Sequence, residues 1–302
     1  MAFQKATRAS VPLIMSVTSV SGGGKTYTAL LLAAGLAGPT GRVGFIDTEN
    51  GRGRLYADSP GIKAALPNGY EIDSLDAPFT PAAYRAKIDE AKAAGIDVLI
   101  IDSFTHEWEG IGGCTDMAEN NKRGGMPNWA MAKREHKRLM YHLLSLDMHV
   151  ILCIRARDKV KIEKRNGKDE VIPIGLQPIT EKNVVFEMLM SVLLDEKTHA
   201  AEPLKVPEML MHLFPHGGRL MTKADGEAIR KWNETGCAAD PNEQVKRRAR
   251  AAAEDGVDAY KSLFASLTTS QKQALIDCGA HEANKAAASE ADASERTESN
   301  EG

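Results

Sequence analysis

The sequence predicts an α/β fold, a mostly parallel and doubly wound sheet built around a phosphate-binding loop. Three observations carry that expectation. Apolar β-type runs alternate with helical patterns through the first two-thirds of the 302 residues. The stretch Ser19-Val20-Ser21-Gly22-Gly23-Gly24-Lys25-Thr26 lies between an apolar run, Val11 to Val17, and a helical one, Thr26 to Leu36. A second apolar run, Asp97 to Asp102 (DVLIID), is continuous and closes on a carboxylate, as a strand buried on both faces does.

Strand, glycine loop and helix in that order are what a phosphate cradle requires. Glycines allow backbone N–H groups to turn inward, and the helix N-terminus adds the positive end of its dipole. Lys25 is placed to reach the β- and γ-phosphates, and the Thr26 hydroxyl to hold Mg²⁺. The candidate nucleotide-binding set is Ser21, Gly22, Gly23, Gly24, Lys25, Thr26 and Tyr27. The loop departs once from G-x-x-x-x-G-K-[ST], with Ser19 in place of the first glycine. A nucleoside triphosphate and Mg²⁺ are the expected ligands. No N-K-x-D guanine signature occurs in the chain.

The remaining elements follow along the chain. Arg42 to Asp47 (RVGFID) reads as a second strand. Thr80 caps a helix that starts with Pro81 and stops at Gly95. Gly110 to Met126 is glycine-rich and polar and reads as a long mobile loop, followed by an amphipathic helix over Asn128 to Leu146. His149 to Ile154 (HVILCI) is a further buried strand. The charged segment after it holds Asn166-Gly167, a hairpin-turn signal. Val184 to Leu194 reads as another strand. Three regions result: an ATPase core over 1–236, a small helical region over 237–285, and an acidic tail over 286–302 that lacks the apolar residues to fold.

Composition limits the options. A hydrophobic content of 43% supports a sizeable core, and the net charge of −3 gives no global signature of a nucleic-acid binder. Cys114, Cys153, Cys237 and Cys278 are widely spaced without C-x-x-C, so they read as free thiols of a reducing cytoplasm. Neither a signal peptide nor a membrane-length apolar run is present, and the expected location is cytoplasmic.

Asp102, at the end of its strand, is the expected Mg²⁺-shell carboxylate. Ser103 follows it where many P-loop ATPases carry their catalytic Glu, so the general base must come from elsewhere. Asp47 and Glu49 leave the end of the RVGFID strand, and a carboxylate there could polarise the attacking water. Glu107 is a rival further along its loop.

The segment FIDTENGRGRL resembles the strand-and-glutamate motif of the RecA superfamily, and LIIDSFT is similar to its Asp-Ser strand end. The order of motifs matches as well. SVSGGGKT, IDSFTHEWEG, NWAMAKREHKRLM, HVILCIRARDK and QPITEKNVVFEM resemble a phage group of core-only RecA-like nucleotide-binding proteins, also counted among AAA-family ATPases and associated with single-strand annealing and recombination. The resemblance spans residues 10–235. It implies a RecA-like P-loop core that takes ATP as its nucleotide, with Glu49 and Lys25 as catalytic residues and Thr26 and Asp102 as metal ligands. It implies a homo-oligomer, because the superfamily binds its nucleotide at a subunit boundary, and a cytoplasmic setting in a bacterial host if phage-encoded. Where RecA-type proteins carry a Gln-type γ-phosphate switch, this chain has Arg155 and Arg157, candidates for a sensor or an arginine finger.

By the same resemblance, two loops are the candidate single-stranded DNA surfaces. Lys122 and Arg123 lie in the first, with Trp108 and Trp129 nearby as stacking platforms; Lys159, Lys161, Lys164, Arg165 and Lys168 lie in the second. Phe3-Gln4-Lys5-Ala6 resembles a motif by which some recombinases dock onto the next protomer, and the acidic tail is a candidate for recruiting a single-strand-binding or replication partner. The leading expectation is an ATP-hydrolysing recombination or annealing protein acting on single-stranded DNA. The alternatives are a helicase-like or helicase-loading ATPase, a small-molecule kinase, and a non-hydrolysing ATP-gated DNA-binding scaffold.

Overall fold

A computed structural model describes residues 8–165, 168–238 and 241–300. In chain order, the elements begin with β1 (Ala9–Ser10), β2 (Ile14–Ser19), α1 (Lys25–Ala37) and β3 (Val43–Asp47). A 3₁₀ turn (Arg52–Tyr56) leads to α2 (Pro60–Ala65), β4 (Glu71–Ser74), α3 (Pro81–Ala93) and β5 (Val98–Asp102). Next come α4 (Thr105–Glu109), α5 (Cys114–Asn120), β6 (Lys122–Arg123), β7 (Met126–Pro127) and α6 (Trp129–Leu144). The chain continues through β8 (His149–Arg165), β9 (Lys168–Pro178), α7 (Val184–Glu187), β10 (Met190–Leu194), β11 (Ala201–Lys205) and α8 (Lys223–Glu234). It ends with β12 (Cys237–Ala238), α9 (Pro241–Glu254), α10 (Val257–Ser266), α11 (Thr269–Asp277) and α12 (Ala280–Asn300).

The chain forms two compact units. The larger covers Pro12–Lys133 and Met148–Trp232; the other takes in Arg134–Asp147, the N-terminal stretch to Val11 and the chain from Asn233. In the larger unit the main sheet runs β11-β10-β2-β8-β5-β3-β4, with β9 paired to β8. From β10 to β4 every neighbour is parallel; β11 and β9 join antiparallel. β2, β3 and β5 are buried at every position; β5 therefore reads as a continuous apolar run, whereas β2 buries Ser16, Thr18 and Ser19 among its apolar residues. This is the mostly parallel, doubly wound sheet expected from the sequence, and in it β8 separates the P-loop strand from β5.

Register decides where the chemistry can occur. Ser19 pairs with Arg155, Cys153 with Asp102, and Asp102 with Asp47, so the loops after β2, β5 and β3 and the extension of β8 beyond Arg155 leave the same edge of the sheet. That carboxyl-end edge is where open α/β sheets bind ligands.

Thr80 caps α3 by accepting from the Ala83 N–H at 3.1 Å, with Pro81 in the first turn. The stretch from Gly110 to Met126, expected as a loop, contains α5 and the small β6–β7 hairpin. Cys114 and Ala118, one helical turn apart, are buried against Ala132, which is enough to order a short helix. The expected strand over Val184 to Leu194 divides into α7 and β10, and Ser191 Oγ donates to the Val185 carbonyl at 2.9 Å across the bend. β8 and β9 form a long antiparallel ribbon whose register brings Arg165 opposite Lys168. The turn residues Asn166 and Gly167, and the Phe3–Ala6 motif, lie outside the described residues.

In the smaller unit β1 pairs in parallel with β12, and α9 to α12 enclose Val245, Ala249, Ala253, Tyr260, Leu267, Leu275 and Ala288. Thr268 and Gln271 cap α11 reciprocally. The stretch from Ala286, expected to be disordered, instead continues α12 to Asn300. Its alanines favour helix, Ala288 is buried, and Asp292 accepts from the Val257 N–H at 3.3 Å. Among the described residues no helix is long and apolar enough to cross a membrane.

Candidate nucleotide site

The loop after β2 is shaped by its glycines. Gly22 and Gly24 have φ of 83° and 84°, a region that side chains rarely adopt, and Gly23 N–H donates to the Val20 carbonyl at 3.2 Å. Ser19 is fully buried and donates from Oγ to the Leu194 carbonyl at 2.9 Å. The hydroxyl therefore ties the P-loop strand to β10, which accounts for a serine where the consensus has glycine. α1 begins at Lys25 with no side chain capping its first turn, so its N-terminal amides face the loop.

A cavity of about 450 Å³ opens here, lined by Ser21, Gly22, Gly24, Lys25, Thr26, Glu49, Arg52, Leu55, Tyr56 and Asp102. Lys25 Nζ donates to the Val20 carbonyl at 2.8 Å, and burial holds its ammonium below the ordinary lysine range. Thr26 Oγ1 donates to Asp102 Oδ2 at 2.5 Å. Burial pushes the Asp102 carboxyl up to about 6, against the opposing hydrogen bond from Thr26. A buried hydroxyl–carboxylate pair below a glycine cradle is a hard-oxygen donor set that fits Mg²⁺ beside a triphosphate. Thr26 and Asp102 are the residues that would hold it.

β3 delivers two acids with different work. Asp47 is buried and accepts from the Glu49 N–H at 2.6 Å and the Gly53 N–H at 2.8 Å, so it shapes the turn. Glu49 lines the cavity, and Arg155 Nε and Nη2 donate to its Oε1 at 3.0 and 2.5 Å. Burial pushes the Glu49 carboxyl up, but the Arg155 hydrogen bonds and charge outweigh it and hold the group below its ordinary range. Arg52 adds a second contact at 3.3 Å.

The rival acid, Glu107, is fully buried, accepts from Cys114 Sγ at 3.2 Å and does not line this cavity. Of the two arginines, Arg155 joins the site through Glu49, whereas Arg157 pairs bidentately with Glu109 at 2.7 and 3.1 Å. Tyr27 is not on the cavity wall either; its ring lies 6.3 Å from that of Tyr56, which is. Arg52, Leu55 and Tyr56 were not singled out from the sequence, although all three follow Glu49 within the quoted FIDTENGRGRL motif or directly after it.

The candidate DNA residues fall in two places. Lys122 and Arg123 are exposed on β6. Lys159 and Lys161 are on the β8–β9 ribbon, Lys161 within 2.6 Å of Glu163; the side chains of Lys164, Arg165 and Lys168 lie outside the described part of the structure. Trp108 and Trp129 stack on each other, centroids 5.5 Å apart, beside Cys114, Ala118 and Ala132, so packing accounts for both rings.

Fold, loop and carboxylates together define a P-loop nucleoside triphosphatase core. The chain belongs to the AAA domain family AAA_24, which it matches over residues 12–235. No curated protein is significantly similar to it. Among solved structures it is similar to the KaiC-like protein PH0186 from the hyperthermophilic archaeon Pyrococcus horikoshii OT3, at 15% identity and a TM-score of 0.39, over 68% of this chain and 89% of that one.

Proposed function

We propose that this protein is a Mg²⁺-dependent ATPase of the recombinase group, of the phage core-only kind, that acts on single-stranded DNA in recombination or annealing. The observation that carries the reading is the placement of Glu49 on the P-loop cavity wall, held by Arg155, the residue from which the β8–β9 ribbon departs. One site thus has an acid able to accept a proton from water and a cation able to reach a γ-phosphate. When bound, Mg²⁺ would neutralise charge developing on the β- and γ-phosphate oxygens. Lys25 and the α1 amides would hold the triphosphate, Thr26 and Asp102 would hold the ion, and Glu49 would orient and deprotonate the attacking water.

Release of Glu49 requires a competing anion for Arg155, and the γ-phosphate is that anion. The ribbon carries Lys159 and Lys161 outward from the site, a spacing suited to tracking a phosphate backbone. Oligomerisation would bring the ribbons of neighbouring copies along one strand.

The test is ATP hydrolysis with and without single-stranded DNA, for the native protein and Glu49→Gln, at two salt concentrations. Salt-sensitive stimulation that disappears in the variant supports the reading, and annealing of complementary strands then separates it from a helicase-like or loading role. Nucleotide binding with no response to DNA sinks the DNA assignment and favours the kinase or scaffold reading.

A further inference from the structure

We propose that His106 is a positioning residue for Glu49, acting through Thr48, and that α4 carries the state of the nucleotide site to the β8–β9 ribbon. The proposal rests on the reading that Glu49 is the hydrolytic acid.

The contact at its centre is a shared hydroxyl. Thr48, directly before Glu49, is buried, and its Oγ1 accepts from the Ser103 N–H at 2.7 Å. The same oxygen lies 2.8 Å from His106 Nδ1 and 3.2 Å from the Ser103 carbonyl. The imidazole is the nearer of the two partners, and the tautomer sets whether ring or hydroxyl donates. Burial first, and the Arg155 charge second, lower the His106 pKa and favour the neutral ring. The ring is also braced by Phe79, centroids 4.9 Å apart. His106 thus joins the end of β3, where Glu49 emerges, to the loop after β5, where Asp102 sits.

The rest of α4 is equally committed. It has five residues, Thr105 to Glu109, and each side chain has a separate partner. Thr105 Oγ1 accepts from the Arg155 N–H at 2.8 Å. His106 meets Thr48, Glu107 accepts from Cys114, and Trp108 stacks on Trp129 with planes 23° apart. Glu109 pairs bidentately with Arg157. So short an element cannot rotate to keep one of these contacts while losing another, because packed elements move as bodies. A shift of Glu49 on nucleotide binding would pass through Thr48 and His106 to α4, and from Glu109 and Thr105 to the root of the ribbon. Trp108 is a built-in reporter of that shift.

The chain has three tryptophans, so Trp232→Phe leaves only the stacked pair. In that background, a non-hydrolysable ATP analogue with Mg²⁺ is titrated while tryptophan fluorescence is recorded, with affinity measured separately by displacement of a fluorescent nucleotide. The expected result is a saturable fluorescence change that His106→Ala abolishes while affinity stays within about threefold and kcat falls between tenfold and about a hundredfold. His106→Gln, which retains a group able to donate or accept, restores part of both, and circular dichroism verifies that each variant folds. Native kcat and a native fluorescence response in His106→Ala would overturn the proposal. If the parent protein binds no analogue at all, the nucleotide reading itself fails, and the affinity measurement distinguishes that outcome from a failure of coupling.

Discussion

Arg155 donates through both Nε and Nη2 to a single carboxylate oxygen of Glu49, at 3.0 and 2.5 Å. The acid that should polarise water is therefore neutralised by a cation that a γ-phosphate would attract. Such a pair gives two separable losses. Glu49→Gln removes the proton acceptor and preserves shape, so kcat should fall by about 10²–10⁴ with nucleotide affinity nearly native.

Arg155→Ala should behave differently. It frees Glu49 but removes the cation, so ATP and ADP should become harder for the protein to distinguish while ADP affinity changes little. Displacement titrations with the two nucleotides check this. An unchanged ATP-to-ADP affinity ratio in Arg155→Ala would rule out a γ-phosphate role for this arginine.

Much of this site was legible in the sequence, and for identifiable reasons. Gly22, Gly24, Lys25, Thr26 and Asp102 belong to local patterns whose spacing fixes their geometry. Glu49 was reached by resemblance, because nothing in the spacing of Asp47 and Glu49 says which of the two faces the cavity. Hydrogen bonds from the Glu49 and Gly53 amides settle Asp47 into the turn, and those are tertiary facts. His106, Tyr56 and the Arg155–Glu49 pair depend on the order of strands in the sheet, which a single sequence does not display. The helix beyond Ala286 was missed because its composition is polar, and the signal that orders it is a buried alanine, Ala288, against the neighbouring helices.

The larger unit should be intolerant of one small change far from the cavity. A Cβ on Gly35 would lie 2.2 Å from the Lys223 carbonyl and 2.5 Å from the Glu227 nitrogen, and one on Gly226 would lie 2.3 Å from the Leu32 carbonyl. α1 and α8 therefore touch backbone to backbone, where no side chain can move aside. Gly35→Ala should cost about 1–3 kcal/mol by overpacking, outweighing alanine's better helix propensity. Chemical denaturation reads it, and a variant as stable as the native protein would show that the helices are not in direct contact.

Acid should weaken the fold partly through Asp225. Its carboxylate pairs with Arg219 and accepts from the Thr222 N–H at 2.7 Å and hydroxyl at 2.9 Å. Burial pushes this carboxyl up, but those partners outweigh it, so it titrates below its ordinary value. A group depressed in the folded state contributes stability that is fully present above its unfolded pKa, about 3.9. That contribution is lost as pH falls through the folded value. Asp225→Asn should cost about 1.5–3 kcal/mol at neutral pH, and the gap from native should narrow only below about pH 4. A gap that stays constant down to pH 3 would show that the Arg219 pair does not set the acid sensitivity.

The ribbon offers a test of DNA binding that does not depend on catalysis. Arg157 is engaged bidentately with Glu109, and beyond it lie Lys159 and Lys161, the latter in an exposed single contact with Glu163 that a phosphate would compete for. Each phosphate neutralised on a single strand contributes about 0.7 to the slope of log affinity against log salt. Lys159→Gln with Lys161→Gln should therefore flatten that slope by about 1.4 and weaken binding equally for all sequences, since backbone contacts carry no base information. Nucleotide affinity should stay native, because neither lysine lines the cavity. Fluorescence anisotropy with labelled oligonucleotides at several salt concentrations measures the slope. An unchanged slope would move the DNA surface off the ribbon and toward Lys122 and Arg123 on β6, where the same substitution pair can be repeated.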